Sequence, residues 1–185
     1  MGKLSLIELP LDGAYSIKPN KYEDNRGSFS RLFCKEELSD IFTGDIAQIN
    51  HSVTNKKGSV RGMHFQYTPN SEIKIVKCIS GSVFDVIVDV RENSNTFLQW
   101  FGMILSKENM SAILIPKGFA HGFQTLEDNS ELLYLHSEVY APGNEGALNV
   151  ADPLLGIDWP LPFVDISERD RGHQMIQTGF KGIEI

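Results

Sequence analysis

Apolar and polar residues alternate over much of the chain's middle, the pattern of strands that bury one face. From Gly58 to Tyr140 short runs of this kind follow one another, each closed by Gly, Asn, Asp or Pro. The clearest is Ser82-Val83-Phe84-Asp85-Val86-Ile87-Val88-Asp89-Val90, where a period of two puts Phe84, Val86, Val88 and Val90 on one face. A β-branched run over 73–79 ends at the Ser80-Gly81 turn, and further strands are predicted over 97–105, 111–115, 119–125 and 131–140. Ahead of this region, 6–18 reads as extended chain and Tyr22-Glu23-Asp24-Asn25-Arg26-Gly27 as a turn. Strands are predicted over 28–33 and 46–53, with a short helix at Lys35-Glu36-Glu37-Leu38 ending near Thr43-Gly44. Beyond Asp152 the pattern is irregular, and Trp159-Pro160-Leu161-Pro162 suggests a packed arm rather than a second domain.

Many short strands, Gly and Asn turns and little helix argue an antiparallel sandwich or small barrel. The 185 residues suit one domain, 1–185, with a sizeable core. A formal net charge of −7 disfavours nucleic acid and anionic membrane surfaces as partners, so an anionic ligand must be held by a local group of basic residues. Met1-Gly2-Lys3-Leu4-Ser5 has no signal-peptide apolar run, no stretch reaches membrane-spanning length, and Cys34 and Cys78 have no metal-ligand spacing. The expectation is a cytoplasmic protein with reduced thiols.

Candidate chemistry is concentrated in Val60-Arg61-Gly62-Met63-His64-Phe65-Gln66 and in Lys74. Strict alternation would send Gly62, His64 and Gln66 to one face and Arg61, Met63 and Phe65 to the other. His64 reads either as a proton-transfer group or as a hydrogen-bonded core histidine, and Lys74 as a charge stabiliser or a solvated strand residue. His121, between Ala120 and Gly122, has room for a ligand or for close strand packing. Tyr134 and His136 share a strand face, where Tyr134 either packs or donates a proton, and Asp170 is either a solvated acid or one that orients an imidazole. A metal set of His64, Glu72 and His121 is disfavoured because Gln66 is a poor ligand and Lys74 brings a positive charge.

Several stretches carry a resemblance, in order along nearly the whole chain: Asp24-Asn25-Arg26-Gly27-Ser28-Phe29, Gln48-Ile49-Asn50, the 60–66 segment, Lys74-Ile75-Val76 and Gly81-Ser82-Val83-Phe84-Asp85-Val86. They continue with Asp89-Val90-Arg91, Ile115-Pro116-Lys117-Gly118-Phe119-Ala120-His121-Gly122-Phe123, Leu133-Tyr134, Tyr140-Ala141-Pro142, Asp152-Pro153-Leu154-Leu155-Gly156-Ile157-Asp158-Trp159-Pro160 and Ser167-Glu168-Arg169-Asp170. Together they resemble the dTDP-4-dehydrorhamnose 3,5-epimerases of the cupin superfamily. The resemblance implies an all-β, cupin-type jelly-roll barrel with a few short helices and an irregular C-terminal arm, forming a homodimer and using no metal or organic cofactor. It implies epimerisation at C3, C5 or both of a nucleotide-linked 4-keto-6-deoxyhexose, for deoxysugar biosynthesis of the lipopolysaccharide O-antigen kind or for a glycosylated metabolite.

By motif, the resemblance makes His64 the base, Asp170 its orienting partner, Tyr134 the proton donor and Lys74 the stabiliser of an enolate oxygen. Arg61, with Arg26 from one subunit or the other, would grip the diphosphate, and Phe29 and Tyr140 would line the nucleotide site. Gln48, Asn50, His121, Glu145 and Arg169 would lie in or near the pocket. Ser30 stands where the family usually has Glu, and Glu72 where it usually has Gln, which leaves open the nucleotide base and the sugar. The competing readings are a metal-dependent cupin enzyme and a non-catalytic sugar-nucleotide binding module.

Overall fold

In the computed structural model the described residues are 4–185, so Met1, Gly2 and Lys3, read above for a signal run, lie outside them. The strands are β1 (Leu4–Glu8), β2 (Tyr15–Pro19), β3 (Lys21–Asp24), β4 (Gly27–Ser30), β5 (Gln48–Thr54), β6 (Ser59–Gln66) and β7 (Lys74–Ser80). They continue as β8 (Ser82–Asp89), β9 (Trp100–Ser106), β10 (Ala112–Ile115), β11 (Phe119–Thr125), β12 (Ser130–His136), β13 (Glu145–Ala147) and β14 (Asp165–Ile166). A 3₁₀ turn at Pro142–Asn144 and a helix α1 (Glu168–Arg171) complete the elements.

One sheet runs β1-β2-β10-β7-β12-β5, and the other β13-β6-β11-β8-β9 with β14 added to β6. All pairings are antiparallel except β14 on β6. Between the sheets, Val76, Cys78, Ile113 and Leu132 of the first pack on Val83, Ile87, Leu105, Phe119 and Phe123 of the second. This is the cupin-like jelly roll that the resemblance implied. The outer face of the second sheet is also covered: Val86, Val88 and Val90 lie under Leu148, Val150, Leu155 and Ile183 of the later chain. That is why β8 is apolar on both faces, and why the segment after Asp152 packs as an arm.

The segment over 35–38 is a succession of turns rather than the predicted helix. Single turns close there, Leu38 N–H on Cys34 O and Phe42 N–H on Leu38 O, and they seat Leu38 and Phe42 on the outer face of the first sheet beside Ile75 and Leu114. The extended 6–18 stretch is two paired strands, β1 and β2, joined by a turn at Gly13. The strand predicted from 97 begins at Trp100, because Leu98 adopts a left-handed conformation, and the one predicted to 140 stops at His136.

Strict alternation also fails on β6. His64 is level with His121 and Arg61 with Phe123, so three steps along β6 match two along β11. The extra residue is a bulge, and it moves Arg61 onto the same side as His64. Gly62 makes this possible: its φ is +130°, and a Cβ there would lie 2.5 Å from Gly122 Cα. Met63 is fully buried under the arm, as the other parity requires.

Gly62→Ala is expected to lower stability by about 1–3 kcal/mol, the usual range for forcing extra atoms into a packed site. Equilibrium denaturation should show a lower midpoint with an unchanged slope; an unchanged midpoint would mean that β6 and β11 are not held this close.

Candidate active site

The inner walls of the two sheets enclose a cavity of about 990 Å³. β6 and β11 contribute Arg61, His64 and His121; β5, β7 and β12 contribute Gln48, Asn50, Lys74, Tyr134 and His136. The later chain adds Tyr140, Glu145, Arg169 and Asp170.

His64 is half-buried, with Nε2 lying 2.7 Å from Asp170 Oδ1. Asp170 arrives on α1, which Ser167 caps by accepting a bond from the Asp170 N–H at 3.0 Å. Its second oxygen accepts from the Gly62 N–H at 3.3 Å, so the bulge and the helix hold the carboxylate between them. Burial opposes charge on Asp170, but the His64 bond and charge and the Gly62 and Ser167 bonds outweigh it and hold the carboxyl below its ordinary value. With Nε2 turned to Asp170, His64 Nδ1 is left to exchange a proton. His173 stands beside His64 at the same oxygen of Asp170, its Nε2 3.6 Å from Oδ1.

Tyr134 looks across from the opposite sheet. Its hydroxyl lies 3.2 Å from Ser52 Oγ, its ring packs edge-on to His121 and it is stacked with His136. Burial, the dominant effect, raises its pKa far above the usual phenol value, so the hydroxyl keeps its proton through the neutral range. His121 Nε2 is 2.9 Å from Asp85 Oδ2, and Asp85 is wholly buried. Lys74 Nζ lies 2.9 Å from Glu72 Oε1, whose other oxygen is 2.7 Å from His136 Nδ1. Burial raises the Glu72 pKa, but the His136 bond and the Lys74 charge prevail and keep it ionised.

Arg169 pairs with Glu145, which also accepts from the Tyr140 hydroxyl at 3.0 Å. Among the described residues, Arg61 is held only by neutral oxygens, Thr54 Oγ1 at 3.0 Å and Val53 O at 3.3 Å. Its charge is therefore free for an anion. Arg26 and Phe29 do not reach this cavity: they lie on the β3–β4 hairpin, whose strands pair with each other alone. Nor are His64, Glu72 and His121 gathered as a ligand set. Among the described residues, the group spaced for a metal is His64, Asp170 and His173.

Sequence reasoning assigned no role to His136, Ser52, Asp85 or His173. His136 was visible as Tyr134's neighbour on its strand face; Ser52 and Asp85 announce themselves only through cross-strand contacts, and His173 through its place beside Asp170.

A family model described as dTDP-4-dehydrorhamnose 3,5-epimerase matches residues 8–178. The Mycobacterium tuberculosis dTDP-4-dehydrorhamnose 3,5-epimerase is 43% identical over 157 residues, covering 83% of this chain and 77% of that protein. The crystal structure of the Bacillus anthracis enzyme of that name, with TDP and PPi bound, matches with a TM-score of 0.90 and 35% identity over 94% of this chain and 99% of that one. A 3'-monoepimerase from Streptomyces bikiniensis in complex with dTDP-quinovose matches with a TM-score of 0.83 and 35% identity, covering 90% and 85%.

The Asp170 carboxyl, held low in the folded state, contributes stability above its unfolded pKa near ~4, and that contribution is lost as pH falls through the folded value. Asp170→Asn should therefore flatten the decline of stability on the acid side, read as the unfolding midpoint at a series of pH values. An equally steep decline in the variant would mean that the His64–Asp170 pair is not formed in solution.

Proposed function

The chain belongs to the dTDP-4-dehydrorhamnose 3,5-epimerase family, and on that premise we propose that it inverts C3, C5 or both in a dTDP-linked 4-keto-6-deoxyhexose through an enolate. The observation that carries the proposal is the opposition of His64, with its Asp170 partner, to Tyr134 across one cavity that Lys74 also enters. The C4 ketone acidifies the protons on both neighbouring carbons. His64 Nδ1 takes one, the electron pair moves onto the ketone oxygen, and Lys74 stabilises the negative charge there. Tyr134, kept protonated by burial, returns a proton to the other face, and the ketone re-forms with the carbon inverted. No change of oxidation state is involved.

Arg61, unpaired with any carboxylate, takes the diphosphate, and Gln48, Asn50, His121, Tyr140, Glu145 and Arg169 shape the remainder of the site. Both a 3,5-epimerase and a 3'-monoepimerase stand among the structures this chain resembles, so its own outcome is a property to be measured. The working form is a homodimer. Phe29 is 60% exposed beside Arg26, and Ile49 and Val53 are exposed on β5, an edge strand paired to β12 alone. In this reading the hairpin of one copy brings Arg26 and Phe29 to the nucleotide end of the other's cavity. The enzyme works in the cytoplasm, in keeping with its free Cys34 and Cys78, supplying deoxysugar units for a surface polysaccharide or a glycosylated metabolite.

The two faces separate by substitution. His64→Asn should abolish both solvent exchange and inversion, a loss of about 10²–10⁴. Tyr134→Phe should let deuterium enter from D₂O with little inversion, because His64 can return a proton only to the face it left. NMR follows exchange and epimer formation separately; inversion by Tyr134→Phe at the wild-type rate would remove Tyr134 from the mechanism.

The dimer makes its own prediction. Arg26→Ala and His64→Asn subunits, each weak alone, should regain activity when refolded together, since a mixed dimer holds one intact site. No recovery in a mixture shown to exchange subunits would place Arg26 outside the partner's site.

A further inference from the structure

The Glu72–His136 pair has no part in the scheme above. Glu72 lies between two groups in a nearly buried setting, its side chain 7% exposed, Lys74 11% and His136 10%. His136 is level with Lys74 across β12 and β7, and Glu72 stands two residues before Lys74, so local geometry brings all three together. A carboxylate 2.9 Å from an ammonium in such a setting cancels most of its charge. Lys74 held in this way offers little net positive charge to an oxygen becoming anionic, unless the third member carries a proton.

His136 can carry that proton. Its Nδ1 donates to Glu72 in either charge state, and its Nε2 lies 3.4 Å from Asn50 Nδ2 on the cavity wall, an amide that donates to the neutral ring and, turned over, accepts from the protonated one. The unit of Glu72, Lys74 and His136 is neutral with the imidazole unprotonated and +1 with it protonated. The groups facing His136 are Glu72 and Lys74 from the start of β7, Tyr134 on its own strand, and uncharged Gln48 and Asn50 from β5.

We propose that Glu72 and His136 are positioning residues that set the charge Lys74 presents to the ketone oxygen, so that enolate formation depends on whether His136 holds a proton. This rests on the reaction proposed above. It gives the enzyme a second titrating imidazole with a sign opposite to that of His64: the base must be unprotonated and His136 protonated. As pH rises and His136 loses its proton, the unit returns to neutral and the rate falls.

The test is a double-mutant cycle read by solvent exchange into a dTDP-linked 4-keto-6-deoxyhexose in D₂O across pH, with dTDP binding measured by calorimetry. Glu72→Gln keeps the hydrogen bond to His136 and releases the ammonium; His136→Gln keeps Glu72 bonded but leaves Lys74 neutralised at every pH. His136→Gln should slow exchange about tenfold, a change of about one pK unit in differential interaction. Glu72→Gln should remove the alkaline fall and exceed the wild type there, and the double variant should recover most of what His136→Gln lost. All should bind dTDP as the wild type does. Equal losses in both single variants, with the double variant as slow or slower, would overturn the inference and leave the pair as a brace for the wall. A wild-type protein that binds dTDP but exchanges no deuterium would overturn the reaction and this inference together, whereas exchange abolished by His64→Asn keeps the two questions separate.

Discussion

Charge cannot be left bare in a wall buried between two sheets, and three imidazoles lining this cavity are each answered by a carboxylate. His64 has Asp170, His121 has Asp85 and His136 has Glu72, at 2.7, 2.9 and 2.7 Å. An unpaired ion in such a place costs several kcal/mol, while a paired one is fixed in orientation by its partner. The pairing also ranks the imidazoles by access. The His64 side chain is 30% exposed, against 7% for His121 and 10% for His136. Of these three, His64 is both oriented and open to the cavity, and the other two are held back in the wall.

The same constraint acts on the backbone. Asp170 needs its second oxygen occupied, and the Gly62 N–H that supplies the bond comes from the bulge that turns Arg61 inward. One irregularity in β6 thus holds the Asp170 carboxylate and places Arg61 on the His64 side at once. A regular strand would have put the guanidinium outside the barrel, where it could not meet a ligand bound beside His64.

The strand pattern was legible because burial on one or both faces writes itself into alternation, as in 82–90, where Val86 and Val88 sit on one side and Val83 and Ile87 on the other. The ordered motifs also named most of the residues that meet in the cavity. What stayed hidden depends on distant packing. The 35–38 segment has helix-forming residues, yet it closes as separate turns that seat Leu38 and Phe42 together on the first sheet. The phase slip at Gly62 needs Gly122 opposite, and a local reading of period two cannot see across strands. Glu72 showed as a departure from a family pattern, but its meaning lay in His136, 64 residues later, which the β7–β12 register brings within 2.7 Å. Arg26 and Phe29 matched by motif and still lie apart from the cavity, since a motif does not say where its hairpin will stand relative to the barrel.

The arm that delivers Asp170 joins chemistry to local stability. It is held by its own contacts: Trp159 Nε1 donates to Val150 O, Gln124 exchanges two bonds with Leu161, and β14 lies along β6. These lie outside the core between the sheets, so the arm can open as a cooperative unit at a lower free energy than the barrel itself. Each opening takes the carboxylate from His64 and β14 from β6, while the remaining pairings of both sheets stay formed. Amide exchange along 159–170 and the lifetime of the His64–Asp170 contact are then two readings of one equilibrium, and the pair can part well before the barrel unfolds.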